Sequence, residues 1–156
     1  MNFQQDTFEM NETFNCSVAK LFAAFVDPVS KRAWYADHGG AHSTDLYELD
    51  PSIGGKERFH ITLNDKTPVP GMKIEMESEC VARVDQRLLI QQSRMRHAGN
   101  TVSISNEAFE FSSAPGGGAM LKLTHQGLYL EGSDGPQRRR SGHEQTLRHL
   151  RAWLGA

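Results

Sequence analysis

The stretch Pro136–Leu154 limits the possible folds more than any other part of this chain. Ser133-Asp134-Gly135-Pro136 reads as a turn leading into a helix, because proline is favoured in the first helical turn, where its missing N–H costs nothing. His143, Leu147, Leu150 and Leu154 then recur at helical spacing. Thr146 and Trp153 widen the stripe, and Glu144, Gln145, Arg148 and Arg151 take the other side. A long amphipathic helix that follows strands needs a sheet to lie on. A histidine in the stripe, where an apolar residue packs better, raises a functional question.

The preceding residues supply that sheet. Phe8, Met10 and Phe14 alternate with polar neighbours, which predicts a first strand with one buried face. Ser17 is an N-cap for a helix carrying Val18, Leu21, Phe22 and Phe25. Asp27-Pro28 stops it and starts a second short helix with Ala33, Trp34 and Tyr35, which His38-Gly39-Gly40 ends. From there the period is two: short strands over Leu46–Leu49 and Glu57–Thr62, then Met72–Val84 as the longest clean strand pattern. Leu88–Met95, Val102–Phe111 and Met120–Leu130 follow, with the glycines 116 to 118 in the last hairpin. Consecutive strands joined by short turns favour an antiparallel sheet, and the C-terminal helix is the element long enough to cover its apolar face.

At 156 residues the chain fits one domain, 1–156, large enough to bury a core without disulfides or metals. Lys and Arg (17) nearly balance Asp and Glu (19), so no global field points to nucleic acid or a membrane surface. Cys16 and Cys80 have no ligand-like spacing and read as reduced, buried thiols. The polar N-terminus lacks a signal-peptide core, and nothing approaches the ~18 consecutive apolar residues of a membrane span. A cytoplasmic location is expected, with no cofactor and no metal. Edge strands make a homodimer a possible assembly.

Several stretches together resemble a known family. These are Val18–Phe25 followed by Asp27-Pro28 and Trp34, Gly54-Gly55 opening a strand, and Arg87-Leu88 after a turn. The strand Leu121-Leu123-Thr124-His125 and Gly142 with Leu147, Leu150 and Leu154 complete the set. Their order is similar to that of the SRPBCC (START-like) superfamily, in the branch homologous to the activator of the heat-shock protein 90 ATPase. The resemblance covers nearly the whole chain. It implies an α+β helix-grip fold: a curved antiparallel sheet of about six to seven strands wrapped around a long C-terminal helix, with two short helices after the first strand. Three positions depart from the family. His143 stands where a Trp is frequent, Glu57 lies at an inward position of its strand two residues after Gly55, and the last hairpin carries three glycines.

Each candidate site residue has a bland reading beside the functional one. His143 is either a hydrogen-bonded core histidine or a polar anchor or acid–base group on the cavity floor. Glu57 is its candidate partner, since a carboxylate fixes the imidazole tautomer and raises its pKa. His125 shares strand parity with Leu121, Leu123 and Tyr129 and can either pack or line a cavity. Asn106, between Ile104 and Ala108, faces a pocket or points outward. Trp34 either forms the cavity mouth or plugs the small helices onto the sheet. His38 and His42 lie on a Gly-rich loop with no helix to align them as a metal pair. Arg138-Arg139-Arg140 reads as a solvated turn rather than a phosphate or partner site. Cys80 is expected to point inward as an inert thiol.

The first functional reading is a binding protein for a small hydrophobic or amphipathic molecule. The expected lining is Trp34, Glu57, Phe59, Met76, Ser78, Asn106, Phe109, His125 and Tyr129, with His143 and Leu147 from the helix. A second reading is an enzyme of cyclase, dehydratase or hydrolase type using Glu57 and His143 in the same cavity. A third, implied by the co-chaperone resemblance, is a protein-interaction module, for which the arginine run is the visible surface. The resemblance establishes none of these as a function by itself.

Overall fold

A computed structural model describes residues 2–156. Seven strands form one antiparallel sheet: β1 (Gln4–Phe14), β2 (His42–Leu49), β3 (Lys56–Leu63), β4 (Lys73–Val84), β5 (Leu88–His97), β6 (Asn100–Ser113) and β7 (Ala119–Tyr129). Their spatial order is β1-β7-β6-β5-β4-β3-β2. The first strand thus crosses to pair with the last, and α1 (Val18–Val26) and α2 (Pro28–Lys31) fill the crossover. Arg32–Ala36 continues α2 as one wider helical turn. The C-terminal helix, α3, runs Pro136–Leu154.

Local chemistry accounts for these boundaries. Ser17 Oγ accepts the Lys20 N–H at 3.1 Å, and Asp27 caps α2 through the Ser30 N–H at 3.0 Å. Gly155, left-handed at φ 67°, ends α3 with its N–H on the Ala152 carbonyl. Register shifts at Thr44/Leu46, Cys80/Ala82 and Met95/Arg96 bend the sheet, as bulges do.

The inner face of the sheet carries two apolar clusters. One joins Phe8, Phe14, Leu121 and Leu123 to Phe22 and Phe25 of α1 and to Leu147, Leu150 and Leu154 of α3. The other gathers Ala36, Tyr47, Phe59 and Ile61 at the far side. Tyr35 packs against both. Trp153, expected in the helix stripe, is instead 44% exposed, because Leu150 and Leu154 already fill the contact with the sheet. Among the described residues no helix is long and apolar enough to cross a membrane.

Candidate functional site

Between the two clusters the inner face of the sheet turns polar, in rows set by the strand register. Cys80, Gln91, Glu107, His125 and Phe8 lie side by side across β4, β5, β6, β7 and β1. The next row runs Glu57, Ser78, Ser93, Ser105 and Gly127, and the one after it Phe59, Met76, Met95, Ser103 and Tyr129. A strand presents every second residue to one face, so parity turns these residues inward and the register lines them up in rows. Gly127 is required here by space: a Cβ would come within 2.8 Å of the Tyr129 ring.

Glu107 is the centre of the first row. Gln91 Nε2 donates to one of its carboxylate oxygens at 2.9 Å and Ser105 Oγ to the other at 3.0 Å. His125, fully buried, stacks on Phe8 at 4.8 Å, and His143 meets His125 edge-on at 5.1 Å. Neither ring nitrogen of His125 has a hydrogen-bond partner among the described residues, nor does the Tyr129 hydroxyl. Leaving a buried polar group unpaired costs about 1–3 kcal/mol, so such a group asks for an explanation. Glu107, His125 and His143 can each offer one ligand atom, all within 4.8 Å of one another.

Charge in this cluster is set by burial. Burial pushes His125 down to about 4 and lowers His143 as well. Burial alone would raise the Glu107 carboxyl, but His143, His125 and the Gln91 hydrogen bond hold it below the usual carboxylate value. The pull from a histidine acts only when that histidine is charged, which burial opposes. Burial thus disfavours charge on both imidazoles, and the Gln91 hydrogen bond favours the ionised form of Glu107.

Arg139 closes the row from above. Its guanidinium donates twice to Asp134, at 2.8 Å each, and once to Ser103 Oγ at 2.7 Å, and lies over the Tyr129 ring at 5.2 Å. Burial and the Arg139 charge act oppositely on Tyr129, and burial prevails, raising its phenol to about 12. The arginine run is thus not a uniform solvated turn: Arg138 and Arg140 are exposed, while the Arg139 side chain is 11% exposed. Arg139 stands four residues before His143, on the same helix stripe, a signal present in the sequence.

A second polar cluster lies under α2. Lys31 Nζ sits 2.7 Å from Glu57 Oε2, and the Tyr47 hydroxyl donates to the same oxygen at 2.5 Å. Burial and the Glu57 charge drive the Tyr47 phenol upward, and burial and the same carboxylate do so for Tyr35. Two small cavities flank these groups. One, of about 70 Å³, is bounded by Tyr35, Met76, Met95, Glu107, Arg139 and His143. The other, of about 30 Å³, is bounded by Lys31, Glu57, Cys80, Leu89 and Phe109. They share Ser78 and Gln91, which makes them two lobes over one floor.

The expected site residues divide accordingly. Met76, Ser78 and His143 border the larger lobe, and Glu57, Ser78 and Phe109 the smaller. His125 and Tyr129 lie in the polar rows, Phe59 in the second apolar cluster and Leu147 in the first. Glu57 and His143 do not form the expected pair: Glu57 is held by Lys31 and Tyr47, and the charged neighbour of His143 is Glu107. Asn106 points outward, because Ser105 and Glu107 take the inward parity and Ile104, apolar but 48% exposed, shares the outer face with it. Trp34 is a plug, not a mouth: it is 2% exposed and donates its indole N–H to the Ala24 carbonyl at 2.8 Å. His38 is not free on its loop but stacks on His149 of α3 at 3.7 Å, with His42 at 5.1 Å. Cys80 does face the interior, and burial raises its thiol.

Comparison with known proteins gives this geometry a context. The family model described as Activator of Hsp90 ATPase homolog 1-like protein matches residues 15–155. An uncharacterised protein from Rhizobium leguminosarum is 25% identical, with 99% of this chain and 97% of that one covered at a TM-score of 0.89. A protein from Rhizobium loti is 24% identical over 98% and 99% of the two chains at 0.84. The AHSA1-like protein from Aeromonas hydrophila is 16% identical over 96% and 92% at 0.67. The last two show a shared fold alone. No curated protein matches the chain.

Proposed function

This chain belongs to the Activator of Hsp90 ATPase homolog 1-like family, and from that premise we propose that it binds a small amphipathic molecule between the sheet and α3. The family's fold commonly holds hydrophobic ligands. The observation that carries the reading is the make-up of the larger lobe. Met76, Met95 and Tyr35 supply adaptable apolar surface, and Ser93, Ser103, Ser105 and Arg139 converge on it with polar groups. These groups already pair with Ser78, Glu107, Asp134 and one another, and a ligand with a polar end at Arg139 and the serines would extend that network, which a purely greasy one would not. The ligand's apolar part lies against the methionines. A lobe of about 70 Å³ is far below the roughly 300–1,000 Å³ of drug-sized pockets, so the molecule is small or enters as the lobe opens.

A thermal-shift screen against short aliphatic and aromatic carboxylic acids and their amides tests this. A ligand at about 100 times its dissociation constant stabilises by about 2.7 kcal/mol, which in a domain of this size is a rise of roughly 5–10 °C. The rise should vanish in Met95→Trp, which fills the lobe, and persist in Asn106→Ala on the outer face. A flat response across the panel, or a shift untouched by Met95→Trp, would sink the reading.

A further inference from the structure

We propose that Glu107, His125 and His143 form a binding site for a divalent first-row transition metal ion, with zinc as the test case. The site shares Glu107 and His143 with the boundary of the larger lobe and takes its third donor, His125, from the neighbouring strand β7, and it does not depend on the amphipathic-ligand reading. Its three potential ligand atoms lie within 4.8 Å of one another. Two imidazoles and one carboxylate are a donor set that suits zinc and its neighbours, with further coordination positions left open. Around a tetrahedral ion with bonds near 2.1 Å the ligand atoms stand about 3.4 Å apart. From separations of at most 4.8 Å, the cluster reaches that by closing no more than about 1.4 Å at any pair.

Two independent observations point to a ligand here. His125 is fully buried with both ring nitrogens unpartnered among the described residues, and metal coordination would satisfy one of them. Glu107 is already oriented at both oxygens, by Gln91 and Ser105, in the manner of the outer-shell hydrogen bonds that hold ligating carboxylates. The nearest cation, Arg139, is committed to Asp134 and so is largely offset.

The experiment is titration of the chelator-stripped protein with Zn²⁺ by calorimetry, and with Co²⁺ read by its visible absorption bands. One equivalent of metal per chain is expected. Glu107→Gln and His143→Gln should each weaken binding by more than roughly the 10–100-fold typical of losing an outer-shell partner. The three surface-side histidines His38, His42 and His149 are the internal control, so a His38→Ala/His149→Ala variant should bind as the wild type does. Circular dichroism verifies that each variant is folded. Should a cluster variant fail to fold, the wild-type Co²⁺ adduct decides. Paramagnetically shifted ring protons of His125 and His143 support the site, and shifted protons of His38 and His149 overturn it. Absence of a bound equivalent, or binding unchanged in His143→Gln, overturns it as well.

Discussion

Lys31 and Glu57 meet at 2.7 Å with their side chains 8% and 7% exposed. Taking two such charges out of water costs several kcal/mol per ion, so each is tolerable because the other, with the Tyr47 hydroxyl, replaces water. Lys31→Met should cost about 3–5 kcal/mol in urea denaturation, and Lys31→Met/Glu57→Leu should recover most of it. A loss under ~1 kcal/mol in the single variant would mean that water reaches the carboxylate. The inward parity of His125 was legible from Leu121 and Leu123. Glu107 carries the same signal, since it shares parity with the buried Phe109 and Phe111, but the opposite parity also holds an apolar residue, Ile104, which is 48% exposed, so the strand pattern does not single out its inner face. The Lys31–Glu57 pair had no signal, because residues 26 apart meet through two intervening elements.

The elements were the legible layer. Helix α3 begins and ends where Pro136 and Gly155 place it, and α1 and α2 start at Ser17 and Asp27 as their capping chemistry requires. The cap at Ser17 positions Phe22 and Phe25 against Phe111, whose ring lies 5.1 Å and 5.3 Å from theirs. Ser17→Ala should therefore cost about 1 kcal/mol, and Ser17→Asp should retain most of the stability. An unchanged denaturation midpoint in Ser17→Ala would show that aromatic packing alone holds the helix. Strand β2 runs longer than Leu46–Leu49 because its start, His42–Asp45, is polar on both faces and gave no period-two pattern. Thr44 at its inner end donates to the Ala36 carbonyl at 2.8 Å, a contact invisible in a linear pattern.

At the scale of the molecule, His38 joins the loop after α2 to His149 of α3. Burial, with His149 and His42 beside it, pulls His38 down to about 4, and burial lowers His149. The unfolded chain therefore takes up protons near the ordinary histidine value of about 6.5, before the folded one does. Stability should be full above that value and fall as pH drops from about 6.5 towards 4. Denaturation midpoints at pH 7.5 and pH 5 check this. His38→Asn should lose less between the two than the wild type does, the remaining slope belonging to the other histidines held low. Equal losses would show that the stacked pair titrates as free histidines do.

By itself the sequence determined the order of elements, the antiparallel sheet, the covering helix and the family, because turn residues, caps and hydrophobic period act over a few neighbouring positions. Which polar side chains meet was decided by tertiary structure. The register of β5, β6 and β7 sets Gln91, Glu107 and His125 in one row, and the rotation of α3 lowers Arg139 and His143 onto it. Neither quantity is written in any local stretch. A one-residue slip of register would turn Glu107 outward and leave the same strands, the same helix and no cluster.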